Sequence, residues 1–350
     1  MPTQPFKLHL KNLPLRLTEF FHKTEPLLFD QRHRVDVQVS DIAFSVSCDD
    51  EHVKHCIREA HCYSSAGHQH SIQLVVSSRE MGGVKAWPVW ADPWFQHREV
   101  EAELRNTPYR LHYFPDLDFW QIYNGETRRG IQLMRAFKAQ PPWEPGAPLR
   151  NFIHWCLLDN GASLVHSGTI GLNGIGVLLA GEGGSGKSGT VLSALLNRMQ
   201  SVGDDYVAIQ MGQNVTAHRA FNTLKQDAKG IKRLGVSLPD DKELNWQSKY
   251  MLNLQEVSQT AVPEAIQIKA LCLPEVTGSD QTSFSPATAR EAFLALAPSG
   301  IFQIPCSGSE MFSFAARLSR RLPAYRVRLG QDPSEIADGF RRLLSNELAH

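Results

Sequence analysis

The sequence predicts an α/β protein in which a central mixed sheet forms the second domain and a smaller α+β domain precedes it. Three observations lead to this prediction. A short apolar run at Val177–Ala180 is typical of a buried strand, and it continues directly into a glycine-rich loop and a helix. Patterns typical of both strands and helices occur beyond residue 266. The proline-rich stretch Gln140–Pro148 indicates a linker between the two halves.

Composition and charge restrict the classes of protein to which the chain can belong. It has 350 residues, 42% of them hydrophobic, which suggests about two domains. Lysine and arginine number 36, as do aspartate and glutamate, so charge gives no support for a nucleic-acid or anionic-membrane partner. No apolar run is long enough to span a bilayer, no signal peptide follows Lys7 and Lys11, and the six cysteines form no disulfide framework. We expect a cytoplasmic protein with reduced thiols.

The N-terminal domain is predicted to cover residues 1–147. Alternating apolar and polar residues favour strands with one wet face at Val35–Val46, and further patterns predict a helix at Asp49–Tyr63 and strands at Ile72–Val76, Leu111–Phe114 and Phe119–Tyr123. The tryptophan-rich segment Trp87–Trp94 is predicted to be an irregular loop. Its aromatic rings are either a contact surface or part of the core, and core packing is the more common use of such rings.

A histidine- and cysteine-rich segment lies within this first domain. It contains His52, His55, Cys56, His61, Cys62, His68 and His70. Nitrogen and sulfur ligands of this kind suit Zn²⁺. The spacing fits no known zinc pattern, however, and a helix would spread these side chains around its circumference. A partly solvated helix and loop is therefore the favoured interpretation, with metal binding as the alternative.

The second domain is predicted to cover residues 148–350. The patterns predict a helix at Arg150–Asn160, a strand at Val177–Ala180, a helix at Ser188–Arg198, a strand at Ile266–Leu273, helices at Pro286–Leu296 and Glu310–Leu318, a strand at Ala324–Leu329 and a helix at Pro333–Ser345. The glycine-rich loop would then lie at the carboxyl end of a strand of the central sheet.

The glycine-rich loop carries the G-x-x-x-x-G-K-[ST] pattern of a phosphate-binding loop. The candidate binding residues are Gly181, Gly183, Gly184, Ser185, Gly186, Lys187, Ser188 and Gly189. Glycines let the backbone turn sharply, and N–H groups at the start of a helix bind phosphate oxygens. We expect Lys187 to reach the β- and γ-phosphates of ATP, and the hydroxyl of Ser188 to bind Mg²⁺. The alternative is a glycine-rich turn without a ligand.

Two adjacent carboxylates, Asp204 and Asp205, follow the predicted helix after a short connection. One carboxylate beside a phosphate site can hold Mg²⁺, directly or through water. The other can accept the proton of an attacking hydroxyl. An Asx-type turn is the structural alternative, which the run Gly-Asp-Asp also favours.

Three further residues are candidates for the same site. His166 precedes the loop strand and can change its charge near neutral pH, although a lone histidine is more often structural. Lys225 and Lys249 follow the aspartates in polar segments and could supply positive charge to a transferring phosphoryl group. Most lysines, in contrast, lie on a solvated surface.

Taken together, these motifs resemble the HPr kinase/phosphorylase-like branch of P-loop proteins, which shares a core with phosphoenolpyruvate carboxykinases. The resemblance covers residues 148–346, by motif extent. It is carried by His166–Gly168, Gly181–Ser188, Gly203–Val207, Thr223–Lys225, Ser248–Leu252, Leu296–Pro305 and Leu322–Gly330. The sequence departs from the family pattern at Gly183, where serine is usual, and no glycine- and arginine-rich loop follows the aspartate pair.

The resemblance implies an ATP-dependent kinase that phosphorylates a hydroxyl group on a peptide, a protein or a small metabolite. It implies that Asp204 is the base, that Asp205 helps to hold Mg²⁺ and that His166 lies beside the transferred phosphate. Lys225 and Lys249 match positions where relatives also tend to carry lysine. Because of the departures, it implies neither HPr as the acceptor nor the reverse phosphorylase reaction. A homo-oligomer is compatible with it.

Two alternatives remain open. The first is a nucleotide-binding regulatory or switch protein without kinase activity, since Asp227–Gly230 matches the short D-x-x-G pattern of GTPases. That pattern has only two fixed positions, and no N/T-K-x-D guanine motif follows it. The second is a carboxykinase-like reaction on an oxo acid, which would require several arginines and a metal-binding histidine near the loop.

Overall fold

The computed structural model describes residues 5–28, 33–61, 71–79, 86–92, 94–305 and 307–348. The chain divides into two compact units, Met1–Asp159 and Asn160–His350. The sequence placed this division between residues 147 and 148, because prolines interrupt regular structure there. In the structure, that proline-rich stretch is packed: Glu144–Gly146 form a 3₁₀ turn, and a carboxylate oxygen of Glu144 accepts the backbone N–H of Leu149 at 2.8 Å.

The first unit is a mixed α/β structure. It contains the strands β1 (Phe6–Leu8), β2 (His33–Val39), β3 (Ile42–Cys48), β4 (Ile72–Ser78), β5 (Pro88–Trp90), β6 (Tyr109–Phe114), β7 (Phe119–Asn124) and β8 (Arg129–Met134), and the helices α1 (Leu13–Leu28), α2 (Glu51–Ala60), α3 (His97–Leu104) and α4 (Arg150–Asp159). Its main sheet has the order β2-β3-β4-β8-β7-β6. Strands β3, β4 and β8 run parallel, and the outer pairs are antiparallel.

The tryptophan-rich segment of this unit is more regular than the sequence predicted. Within it, β5 pairs in parallel with β1, because the backbone of residues 88–90 is extended and aligned with Phe6–Leu8. Trp87 is buried, and the ring of Trp90 packs at 3.9 Å from that of Phe95. Trp94, in contrast, is exposed. Core packing therefore explains the first two tryptophans but not the third.

The second unit is also α/β and contains the glycine-rich loop. Its strands are β9 (Ala162–Val165), β10 (Gly168–Leu172), β11 (Ile175–Leu179), β12 (Val207–Met211), β13 (Val215–His218), β14 (Thr223–Asp227), β15 (Lys249–Asn253), β16 (Ala265–Ser279), β17 (Ser283–Ala287) and β18 (Ala324–Gly330); its helices are α5 (Lys187–Leu196), α6 (Ala228–Leu234), α7 (Leu254–Val257), α8 (Ala289–Gln303), α9 (Gly308–Arg321) and α10 (Pro333–Arg342), which continues as a π-helical segment, Leu343–Glu347.

The predicted mixed sheet is confirmed in this unit. The order β10-β11-β16-β13-β12-β9 places the strand before the glycine-rich loop inside the sheet, and β18 pairs with both β16 and β17. Strand β11 is parallel to β16 and antiparallel to β10. The helix predicted at Pro286–Leu296 begins later, at Ala289, because residues 283–287 pair with β18 and Thr288 then caps α8 through its side chain.

Helices cover both faces of this sheet. On one face, α5 and α10 contribute Val191, Leu195, Ile336 and Phe340 to a core that also contains Leu179 of β11. On the other face, α8 and α9 contribute their own apolar residues to a second core. Because apolar cores pack against β11 on both faces of the sheet, the position at which the glycine-rich loop leaves this strand is fixed. Among the described residues, no helix is long and apolar enough to cross a membrane.

Candidate functional site

The glycine-rich loop joins the end of β11 to the start of α5, as the sequence predicted. Gly181, Gly184 and Gly186 have φ angles of 155°, 86° and 101°, a region that side chains with a Cβ rarely enter. At Gly186 an added Cβ would also lie 2.6 Å from the side chain of Leu329. The pattern of glycines is therefore required by the path of the backbone, which leads into the first turn of the helix.

Lys187 folds back over this loop. Its ammonium donates hydrogen bonds to the carbonyl oxygens of Gly181, at 2.7 Å, and Glu182, at 3.0 Å. The residue is only 8% exposed. Burial lowers the pKa of Lys187, and the nearby charges of Asp204 and Asp205 partly oppose that shift. Neutral carbonyl groups of the loop therefore hold the ammonium of Lys187 in place.

Asp204 lies under the first turn of α5. It is 1% exposed, and the nearby side chain of Ser188 acts to lower its pKa. Its Oδ2 also accepts a long hydrogen bond, 3.4 Å, from the backbone N–H of Lys225. Its Oδ1 has no hydrogen-bond partner among the residues that the structure describes. Burial and then the charge of Asp205 raise the pKa of Asp204, so this carboxyl is the more basic of the pair.

Asp205 is held by two partners. Nε2 of His166 lies 2.9 Å from Oδ1, and Nζ of Lys225 lies 2.7 Å from Oδ2. Burial alone would raise the pKa of Asp205, but the hydrogen bond from His166 and the charge of Lys225 outweigh it, and the pKa is lowered. Because an ionised carboxylate only accepts hydrogen bonds, Nε2 of His166 carries the proton. Asp205 has a φ of 73°, which aspartate tolerates better than most residues.

Strands β14 and β15 bring two lysines to this site. Lys225 lies on β14 and is buried, whereas Lys249 begins β15 opposite Asp227. Lys249 is close enough to lower the pKa of Lys187 by repulsion. The structure therefore brings together most of the residues that the sequence selected: His166, Ser188, Asp204, Asp205 and Lys225 are connected by contacts, and Lys187 and Lys249 by their charges.

Two residues that the sequence analysis did not select also lie here. Nη2 of Arg233, on α6, is 3.1 Å from the position that a Cβ of Gly189 would take. Oε1 of Gln226 is 3.8 Å from that same position. Gln226 lies on β14 and Arg233 on α6, and neither belongs to a motif, so no local signal distinguishes them.

The site has more positive than negative groups. Three lysines and Arg233 lie near three carboxylates, Asp204, Asp205 and Asp227, and Asp204 has a raised pKa. An excess of positive charge beside N–H groups at the start of a helix suits a polyphosphate.

Within the described parts of the chain, no group of three or more histidine, cysteine or acidic side chains could hold a metal. Mg²⁺ requires fewer protein ligands, since phosphate oxygens and water complete its shell. Ser188 and the aspartate pair therefore fit it.

Two weaker sequence signals can also be placed. Asp227 caps α6, accepting the N–H of Gly230 at 2.7 Å, so the D-x-x-G match has a structural explanation.

In the histidine- and cysteine-rich segment, His52 and Cys56 lie on α2 with Nε2 and Sγ 3.7 Å apart. Cys62, His68 and His70 lie outside the described residues. The metal hypothesis thus gains no further ligand from the part of the segment that is described.

Comparison with known proteins adds no assignment. No protein-family model matches this chain, and no curated protein matches it in sequence.

Proposed function

We propose that this chain is an ATP-dependent kinase with the phosphate-binding loop and core of the HPr kinase/phosphoenolpyruvate carboxykinase type. One observation carries the proposal: Ser188, in the loop motif, interacts with the buried carboxyl of Asp204, and Lys225 contacts both Asp204 and Asp205. A loop with the phosphate-binding pattern is a common local signal. Its convergence with two carboxylates that differ in pKa is a much rarer arrangement, and active sites are where such differences concentrate.

Nucleotide binding follows from the loop. The N–H groups at the start of α5 would bind the phosphates of ATP, and Lys187 would exchange its carbonyl partners for the β- and γ-phosphates. The carbonyl contacts hold the ammonium near the position where it is required, so little reorganisation is needed. Lys225 and Lys249 add positive charge around the γ-phosphate.

The two carboxylates would have different tasks. Ser188 and Asp205 would hold Mg²⁺, which would neutralise charge on the phosphates. Asp205 remains ionised at neutral pH because its pKa is lowered. Asp204, with its raised pKa and its unpartnered Oδ1 among the described residues, would take the proton of the acceptor hydroxyl. The acceptor oxygen then bonds to the γ-phosphorus, and the bond from that phosphorus to the oxygen of ADP breaks.

The acceptor would be a hydroxyl group on a peptide, a protein or a small metabolite. One observation favours the alternative of a nucleotide-dependent regulatory protein without kinase activity. Asp204 is almost fully buried, so an acceptor reaches it only if neighbouring groups move. A switch requires no such access.

The test is transfer of label from γ-labelled ATP with Mg²⁺ to a metabolite extract and, separately, to a peptide and protein extract. We expect the wild type to label one pool. Asp204→Asn should lower transfer by about 10²- to 10⁴-fold while its affinity for ATP stays within about threefold of the wild type. Asp240→Asn is the matched control, since Asp240 is exposed. Equal transfer by Asp204→Asn would contradict the base assignment; ATP binding without labelling of either pool would favour the regulatory alternative.

A further inference from the structure

Arg219 is a buried arginine whose guanidinium has no partner among the residues that the structure describes. It directly follows β13, and only 8% of the residue is exposed. Its Nε and Nη1 atoms are enclosed and have no hydrogen-bond acceptor. No carboxylate in the described parts of the chain forms an ion pair with it. Its backbone N–H, in contrast, donates to the carbonyl oxygen of Glu264 at 2.8 Å.

An enclosed guanidinium of this kind is costly unless an anion is bound to it. Arginine does not lose its proton in proteins, so the group cannot reduce the cost of burial by becoming neutral. Charged side chains are almost never fully buried without a partner. Both enclosed nitrogen atoms of Arg219 are donors, so the partner must accept hydrogen bonds. A carboxylate or a phosphate has the charge and the geometry for this role.

Arg219 lies close to the aspartate pair in the topology of the second unit. The last residue pair of β12 and β13 joins Ala208 to His218, so Arg219 lies beside the start of β12, where the chain has just left the two aspartates. Six residues after Arg219 the chain reaches Lys225, whose backbone N–H and ammonium contact Asp204 and Asp205. Arg219 therefore belongs to a short connection between two elements of the candidate site.

We propose that Arg219 binds an anionic group of the phosphate acceptor, and that this acceptor is a small hydroxylated molecule with a carboxylate or a phosphate. This inference rests on the proposed function. Three lysines near the glycine-rich loop, together with Mg²⁺, balance the phosphates of ATP, so the acceptor is the ligand that supplies the further anion. A small molecule can reach an enclosed guanidinium, whereas the surface of a folded protein cannot.

The first test measures thermal stability with Mg–ADP bound, so that the glycine-rich loop is occupied in every sample. Arg219→Met removes the charge and keeps an unbranched side chain. Without a further anion it should melt about 3 °C or more above the wild type, because an apolar group replaces an uncompensated buried charge. Arg320→Met is the matched control at an exposed arginine, and it should melt within about 2 °C of the wild type. If Arg219→Met melts below this control, the guanidinium has a partner inside the protein and the inference is overturned.

Added anions separate a binding site from an effect of packing. In acetate or in inorganic phosphate, compared with chloride of equal ionic strength, the wild type and Arg320→Met should gain about 3 °C, the shift expected at about ten times the Kd of one anion. Arg219→Met should gain nothing. Arg219→Lys keeps the charge but not the planar fork of donors, so it should keep part of the gain. Equal gains by Arg219→Met and Arg320→Met would contradict the proposal.

A labelling experiment identifies the acceptor. A metabolite extract is divided on an anion-exchange resin, and the wild type with γ-labelled ATP should label the retained fraction but not the flow-through. Treatment of the retained fraction with a phosphatase, which is removed before the assay, abolishes labelling if the anionic group is a phosphate and preserves it if the group is a carboxylate. Arg219→Met should raise the KM for the acceptor by about tenfold or more, while the KM for ATP stays within about twofold of the wild type.

The labelled fraction distinguishes the failure of this inference from the failure of the proposed function. Label in the flow-through, or only in the peptide and protein extract, would support a kinase and contradict the role of Arg219. Label in none of the fractions would contradict the proposed kinase and, with it, the role of Arg219 in binding the acceptor.

Discussion

Each unit contains a group of buried polar side chains, and the two groups differ in which of their ionisable side chains stay charged. In the first unit, His112, Gln121 and Gln132 lie opposite one another on the neighbouring strands β6, β7 and β8. Asn151 of α4 donates a hydrogen bond to Gln121 at 2.6 Å. On the same helix, burial lowers the pKa of His154 to about 3. The amides and imidazoles of this group are uncharged; beside them lie the buried cation Arg150 and Glu144, whose pKa burial raises to about 7.

The group in the second unit keeps its charges. The Asp205 carboxylate is ionised because His166 and Lys225 contact its two oxygens, and these contacts outweigh the effect of burial. This cluster consists of His166, Asp205 and Lys225, which come from separate parts of the chain. A buried charge without partners would instead lose its charge through a shifted pKa.

The difference separates a candidate site from ordinary polar burial in a chain that no family model matches. Burial of polar groups is not by itself a sign of a site, since it also occurs where amides and uncharged imidazoles bond to one another, as at α4. Charge that is retained beside a helix N-terminus requires charged partners, and such a buried ion pair is often no more stable than apolar packing of the same size. Substitutions in each of the two groups test this difference.

The largest effect is expected for Asp205→Asn. Asparagine adopts positive φ readily, so the backbone is not strained, but the buried ammonium of Lys225 loses its partner. Removing one partner of a buried ion pair costs about 3 kcal/mol or more of unfolding free energy. Urea denaturation at pH 7 measures it, with Asp240→Asn as control. Adding Lys225→Met should recover part of the loss. A single variant as stable as the control would show that Asp205 has no buried partner in solution.

A smaller, pH-dependent effect is expected for His154→Phe. Histidine ordinarily has a pKa of 6.5, and burial lowers the pKa of His154 in the folded protein to about 3. Between these two values the unfolded chain binds a proton that the folded chain does not. Stability from this residue is thus complete above pH 6.5 and falls as pH falls. From about pH 7.5 to about pH 5 the wild type should lose about 2 kcal/mol that the variant keeps.

Urea denaturation of both proteins at the two pH values tests this difference. His55→Phe makes the same change at an exposed position of α2 and should leave the pH dependence of the wild type unaltered. If His154→Phe and the wild type lose the same free energy of unfolding, His154 is protonated in the folded protein.

The smallest effect is expected for Asn151→Ala. The variant removes the hydrogen bond to Oε1 of Gln121, an uncharged acceptor, so the loss should be about 1 kcal/mol at any pH between about 5 and 8. The measurement is again the urea midpoint, with exposed Glu103→Ala as control. If Asn151→Ala loses as much free energy of unfolding as Asp205→Asn, the expected difference between the uncharged and the charged group is wrong.

Local patterns predicted much of this structure. The strand, glycine-rich loop and helix at 175–196 follow from an apolar run, three glycines with positive φ and a good helix sequence, all within a few residues. The start of the helix predicted at Pro286 is wrong because Pro286 pairs with Tyr325, a partner distant in sequence. The proline-rich stretch has the composition of a linker, and its burial depends on contacts such as that between His61 and the carbonyl of Pro148.

The sequence by itself determined the path of the loop, because its glycines with positive φ lie within a few adjacent residues, and it selected the candidate lysines and the aspartate pair. Only the tertiary structure decided that His166 and Lys225 contact Asp205, that Asp204 lies under Ser188 and that Arg233 lies against Gly189. Those contacts join residues from different strands and helices, and sheet order and helix packing set them. The pKa difference between the two aspartates arises from those contacts and from burial, so no local pattern contains it.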